Sequence, residues 1–391
     1  MGRIGILLVL AVLGAGHAGR AEDVVKVGLI GTYSGGFASW GPQFQRGAEL
    51  YMQEHGERVG GARIALLTRD DGGPNPEVAK QLAQELLVRE KVAFLAGMTF
   101  TPTAMAIAPL ATEARTPLLV WNAAASVITR RSPYIVRTST TLWQLTAPIA
   151  DWAAKHGIKD VYVAVSDYAP GHDARDAFKR SFTGAGGTVA GELLIPLQTT
   201  DFAPYLQRIK DARPGAVYVF MPAGPSSIGF VRTFAALGLG AAGIKLLGTG
   251  ETDELDLPTI GDAALGTMTA YYYSPCLDTP RNRAWVASYH QKFGADAIPN
   301  FASVAAYDGM HLVYEVVRKL GPGFDGEQAI AVIKGMTIDD SPRGPLTIDP
   351  VERDAIQTVY IRRVERVGDR LCNVAIDRYA DQKDLWKELN K

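Results

Sequence analysis

The sequence predicts an α/β chain of two lobes, each built on a doubly wound parallel sheet. Three observations predict it. From residue 24 to 137 short β-rich runs alternate with helix-length segments; the same order restarts at 142 and runs to 273; and the remaining tail switches to long helices and an antiparallel hairpin. Strands separated by helix-length segments pair in parallel through crossover helices.

In the first unit the strand candidates are 24–30, 63–68, 91–95, 117–120 and 134–137, with helices expected at 44–55, 76–89 and 102–114. The second unit reads helix 142–156, strand 161–165, helix 175–183, strand 189–194, helix 202–212, strand 216–220, helix 228–237, strand 244–247 and strand 267–273. In the tail, helices are expected at 283–293, 303–320 and 326–334; Met310, Val313, Val317 and Leu320 form an apolar stripe on the second. Strands at 346–348, 358–367 and 371–376 follow, the last two joined by the Gly368-Asp369 turn. A tail that returns over two complete α/β units implies several chain crossings between lobes, the arrangement a hinge needs.

The first residues set the compartment. Arg3, an apolar run over 4–15 and small residues through Ala18, Gly19 and Ala21 follow the order of a secretory leader. The run is about half the roughly 20 residues that a membrane span requires. Residues 1–21 are therefore read as a signal peptide cleaved after Ala21, with the Ala18 bond as alternative, and the mature chain is expected in the periplasm. The 40 Lys+Arg and 41 Asp+Glu nearly balance, and no basic run stands out, which argues against a nucleic-acid partner. Cys276 and Cys372 are the only cysteines. Exported chains can pair two such residues, but the sequence leaves the pairing open.

Catalytic and cofactor motifs fail one by one. Gly238-Leu239-Gly240-Ala241-Ala242-Gly243 spells G-x-G-x-x-G, yet it follows a helix and precedes a strand, the reverse of a dinucleotide site. The chain has no Gly-Lys pair for a P-loop, and Gly224 to Gly229 has the wrong spacing for a nucleophile elbow. Its six histidines lie far apart, so no metal template forms. No catalytic residue, metal or cofactor is expected.

Doubly wound sheets bind ligands beyond the C-terminal strand ends, and the loops there are polar and aromatic. The first carries Tyr33, Ser34 and Trp40; the third runs from Gly97 through Thr99, Phe100 and Thr101 to Pro102; the fourth is Trp121-Asn122-Ala123-Ala124-Ala125-Ser126. Thr101 reads as a helix N-cap or as part of an anion site beside Thr99, and Trp40, Phe100 and Trp121 as an apolar wall or as core. The second unit offers Asp167 and Tyr168, and Glu251 as a partner for an ammonium or hydroxyl group or as a solvated carboxylate.

These pieces carry a resemblance. Val27 to Ile30 with Ser34-Gly35 and Trp40-Gly41, Asp70-Asp71-Gly72 with Pro76, Gly97, Ala106-Ile107-Ala108-Pro109, Tyr134 to Ser139, Asp167-Tyr168-Ala169 with Gly171, Ala235 to Leu239, Tyr307 and Gly344-Pro345-Leu346 occur in order over nearly the whole chain. In this the chain resembles the branched-chain amino-acid-binding (leucine/isoleucine/valine-binding-like) family of type I periplasmic solute-binding proteins of ABC transporters. The resemblance implies a non-enzymatic clamp with a three-crossover hinge, lobe 1 at 22–143 plus 275–343 and lobe 2 at 144–274 plus 344–391. It implies a monomer that closes on a small carboxylate ligand, an amino acid or aromatic acid, and meets a membrane permease. A sensory ligand-binding subunit of the same fold is the alternative. It assigns the ligand carboxylate to Thr101 with Ser126, the ammonium to the neighbourhood of Glu251, and cleft contacts to Trp40 and Phe301. Two departures stand out: Pro170 and Ala223 occupy places where amino-acid binders often have tyrosine. Both weaken an amino-acid clamp, while Trp40, Phe100 and Trp121 enlarge the apolar wall.

Overall fold

The computed structural model describes Asp23–Lys391, so the expected leader lies outside the described residues. In the first unit, β1 (Val24–Gly31), α1 (Trp40–His55), β2 (Arg58–Val59), β3 (Ala62–Asp70), α2 (Pro76–Val88), β4 (Phe94–Gly97), α3 (Thr101–Glu113), β5 (Leu118–Val120) and β6 (Ile135–Arg137) build a six-stranded sheet ordered β2-β3-β1-β4-β5-β6. All its pairings are parallel except the short β2–β3 hairpin, which the sequence reading missed. In the second, α4 (Leu142–Lys155), β7 (Asp160–Ser166), α5 (Ala169–Gly184), β8 (Thr188–Ile195), α6 (Ala203–Ala212), β9 (Ala216–Phe220), α7 (Pro225–Ala236), β10 (Lys245–Gly248), α8 (Leu257–Ile260) and β11 (Met268–Tyr271) supply the parallel half of a nine-stranded sheet.

The tail divides between the two. Helices α9 (Pro280–Phe293), α10 (Phe301–Leu320) and α11 (Gly326–Ile333) return to the first unit, where α10 packs along α1. Gly47 of α1 lets it approach closely, since a Cβ there would lie 2.0 Å from the Ser303 carbonyl oxygen. Strands β12 (Thr337–Ile338), β13 (Leu346–Ile348), β14 (Ala355–Val367) and β15 (Arg370–Gln382) extend the second sheet, and α12 (Leu385–Leu389) ends the chain. Residues 337–338 thus join the second sheet, although the expected boundary at 343 placed them with the first lobe. Burial follows topology: β9 is buried along its whole length, as a strand covered on both faces must be, whereas the edge strand β8 alternates exposed and half-buried.

The chain passes between the sheets three times, and one side chain just beyond the third passage touches the other two. Arg343, in the loop between β12 and β13, forms a fully buried ion pair with Asp308 of α10 at 2.8 Å and donates to the Thr138 carbonyl of the first passage. Its guanidinium lies over the Tyr272 ring of the second, 4.6 Å from the centroid, and also donates to Gln357 at 2.8 Å. Cys276, in the second passage, and Cys372 of β15 are disulfide-bonded, with Cα atoms 6.3 Å apart.

Candidate functional site

The C-terminal ends of the parallel strands of both sheets face one another across a cavity. From the first sheet come Thr99, Phe100 and Thr101 at the start of α3, and Asn122, Ala123 and Ala124 after β5. From the second come Tyr168, Phe220 to Ala223, Thr249, Gly250 and Tyr271; Thr140 follows from the first passage, Leu142 and Leu145 from the start of α4, and Trp40 and Phe301 from the starts of α1 and α10.

The polar end is made by backbone contortion. Gly97 (φ 105°) must be glycine, since a Cβ there would lie 2.1 Å from the Ile30 carbonyl oxygen. Met98 follows at φ 65°, a left-handed conformation that costs a non-glycine residue about 1–2 kcal/mol. Their two turns in succession lead into Thr99, which is 1% exposed and whose hydroxyl has no hydrogen-bond partner among the described residues. The N-cap of α3 is Phe100, not Thr101, because Phe100 is the residue that keeps extended backbone angles. Thr101 is the first helical residue; its hydroxyl oxygen accepts a long bond from the Ala125 amide (3.4 Å), leaving its O–H free to donate. Asn122 locks the two loops together by donating to the Thr99 carbonyl at 2.6 Å. Two hydroxyls and the first-turn amides of α3, which have no intrahelical acceptor, therefore converge on one end.

The remainder of the wall is aromatic. Trp40 meets Phe301 edge-on (centroids 5.2 Å apart, 66°), Phe301 meets Tyr271 (4.7 Å, 59°), and Tyr168 stacks on Phe220 (6.1 Å, 21°). Burial raises the Tyr168 and Tyr271 phenols above their ordinary range, so both stay protonated and able to donate. Among the described residues, no Asp, Glu, Lys, Arg or His lines the cavity.

Of the residues singled out in the sequence, the structure brings Trp40, Phe100, Thr101, Tyr168 and Phe301 together on this wall, and four lie off it. Trp121 is fully buried in the first lobe's core, edge-on to Phe44 at 5.8 Å and closed over Gly309. Ser126 is buried and does not line the cavity, and its amide donates to Asp173 across the cleft at 2.8 Å. Asp167 is half exposed and pairs with His172 at 2.8 Å. Glu251 lies behind the wall: its carboxylate accepts the Met221 amide at 3.0 Å and the Thr249 amide, fastening two cavity loops to each other. Burial pushes its pKa up to about 7. These displacements have one cause, since a loop's sequence fixes which residues lie near a strand end but not which way each side chain turns. Sequence reasoning missed Asn122, Thr140, Leu142, Leu145 and Tyr271 as wall residues; Tyr271 read as an ordinary strand residue and the other four as loop or helix.

Two lobes thus close on a cavity lined by hydroxyls, backbone amides and ring faces. The chain belongs to the periplasmic binding protein family, whose model matches residues 24–369, and it is a periplasmic solute-binding protein of the ABC-transporter type, not an enzyme. It is 44% identical over 380 residues to "Leu/Ile/Val-binding protein homolog 6" of Brucella melitensis, with 97% of each chain covered. Two solved structures of ABC-transporter solute-binding proteins from Rhodopseudomonas palustris are also similar. One, from strain BisB5 in complex with 3,4-dihydroxybenzoic acid, is 48% identical with a TM-score of 0.89; the other, in complex with 4-hydroxybenzoate, is 46% identical with a TM-score of 0.91. Each likeness covers 94% of this chain and 100% of the other.

Proposed function

We propose that this chain is the receptor for an aromatic carboxylic acid, a hydroxylated benzoate, which it delivers to its membrane permease. The observation that carries the reading is the absence of any charged group from the cavity wall. An amino acid brings an ammonium as well as a carboxylate, and a desolvated ammonium without a partner is strongly disfavoured. The residue expected to meet it, Glu251, instead holds two backbone amides behind the wall. A benzoate needs only an anion-accepting end and an apolar slot, and the rings of Trp40, Phe100, Phe301 and Tyr271 supply the slot. Thr99 and Thr101 would take the carboxylate, and Tyr168 and Tyr271 would meet ring hydroxyls. The division at 22–143 plus 275–343 and 144–274 plus 344–391, with 337–338 moved to the second lobe, is our proposed unit of closure. Secretion with cleavage near Ala21 and a monomeric working state belong to the same reading.

Calorimetric titration of the purified protein with 4-hydroxybenzoate, 3,4-dihydroxybenzoate, benzoate and leucine tests it. The expected order has the hydroxylated benzoates tightest and leucine weakest or silent; leucine binding tighter than every benzoate would overturn it.

A further inference from the structure

The loop between β1 and α1 reaches farther than the cavity wall requires. Its base is pinned: Tyr33 and Gly72 amides both donate to Asp70, at 2.8 and 2.9 Å, and the Gly41 amide to the Thr32 carbonyl at 2.7 Å. Its tip, Ser34-Gly35-Gly36, is exposed, yet the next residue, Phe37, is half buried. The Phe37 ring stands edge-on to Phe100 of its own lobe (centroids 4.9 Å apart, 75°). On its other side it meets the opposite lobe, lying 3.5 Å from where a Cβ of Gly224 would be, and Gly36 approaches Pro225 likewise at 3.9 Å. Gly224 sits at φ 109°, so that stretch of the far rim is bare backbone, held by its amide's bond to Asp256 at 2.6 Å.

We infer that Phe37 is a latch, a residue outside the ligand cavity that sets how long the closed clamp holds its ligand. Phe37 sits between Phe100, which lines the cavity, and Gly224, the neighbour in sequence of the cavity residue Ala223. Its contact with Phe100 stays within one lobe and survives opening. Its contact with Gly224 crosses the cleft and exists only when the lobes meet. Opening therefore exposes apolar surface of Phe37 and Pro225 to water, an unfavourable step that stabilises the closed state by difference. A ligand's apparent affinity scales with the population of the state that binds it. Phe37 thus contributes to affinity without a ligand contact and acts mainly on dissociation.

Stopped-flow binding of 4-hydroxybenzoate to wild type, Phe37→Ala and Phe37→Leu tests the latch. For Phe37→Ala, release should quicken about tenfold while the association rate changes less than about threefold, as most interface changes act on release. Phe37→Leu should restore most of the residence time, and the melting temperature of the unliganded protein should stay nearly the same in all three. An unchanged release rate, or release and association rising together at constant affinity, would overturn the latch. A second arm needs no ligand and stands apart from the assignment to benzoates. Cysteines introduced as Gly36→Cys and Pro225→Cys should cross-link readily, and adding Phe37→Ala should slow that cross-linking severalfold. Equal cross-linking rates with and without Phe37 would count against the latch, whatever the ligand proves to be.

Discussion

The cavity and the hinge behind it differ in how they use charge. The cavity wall carries none. The hinge region, by contrast, buries the Arg343–Asp308 pair, the Arg362–Glu254 pair at 3.9 Å, and a cluster in which Lys387 meets Asp354 at 2.7 Å and Glu352 at 3.3 Å with Arg137 3.5 Å from Asp354. The difference teaches what each region has to do. Buried ions add little net stability, but they penalise every arrangement that separates them, which suits a pivot where three chain passages must stay in register. A cavity that must fill and empty has to desolvate its wall repeatedly. Hydroxyls, amides and ring faces keep that step small.

The largest effect should come from breaking the pivot. Arg343→Met leaves Asp308 buried without its partner, and removing one member of a buried pair typically costs about 3–5 kcal/mol. Chemical denaturation should show that loss; a loss below about 1 kcal/mol, the range of exposed pairs, would mean the hinge charges do not set the geometry.

On the cavity side, Thr101→Val keeps the shape and removes a hydroxyl. Hydrogen bonds to a charged group are worth about 1.5–3 kcal/mol, so hydroxybenzoate affinity should fall about 10- to 150-fold. Because Phe100 is the N-cap, fold stability should change little. A lowered melting temperature with unchanged affinity would return Thr101 to a purely structural role.

A smaller, selective effect is expected at the opposite end. Tyr271→Phe should weaken 4-hydroxybenzoate by about tenfold and benzoate hardly at all, because only the hydroxylated ring then loses a buried partner. Equal losses for both acids would place the phenol away from the ring substituent.

The smallest effect on binding belongs to Glu251→Gln, whose carboxylate serves the scaffold. Affinity should change less than about threefold, and a much larger loss would revive the ammonium assignment. The substitution should be visible in stability against pH instead. Glu251 and Asp384, both pushed by burial up to about 7, hold the proton more tightly folded than unfolded. Their contribution is full below the ordinary carboxylate range of about 4 and is lost as pH rises through about 7. Wild-type melting temperature should therefore fall across that window, and Glu251→Gln should flatten part of the slope.

Much of this was legible in the chain. The strand–helix alternation placed nearly every element of both parallel halves. Helix starts were read late where the first turn is glycine-, proline- or loop-like, as at Trp40 and Ala169, because such residues signal a loop until tertiary packing pulls them into the helix. The loops that build the cavity were also legible, since topology alone sends ligands to C-terminal strand ends.

The sequence by itself determined the two-unit architecture and which loops lie at the C-terminal strand ends; that Pro170 and Ala223 stand where amino-acid binders often have tyrosine was what the family resemblance implied. These are properties of order, periodicity and residue type, which are local. Only the tertiary structure decided that Cys276 meets Cys372, that Trp121 faces the core, that Ser126 spends its amide on Asp173, and that Glu251 turns behind the wall. Each depends on which partner a side chain or amide finds among residues distant in sequence. A buried carboxylate takes the donors that surround it, and here Glu251 is surrounded by backbone amides rather than by the cavity.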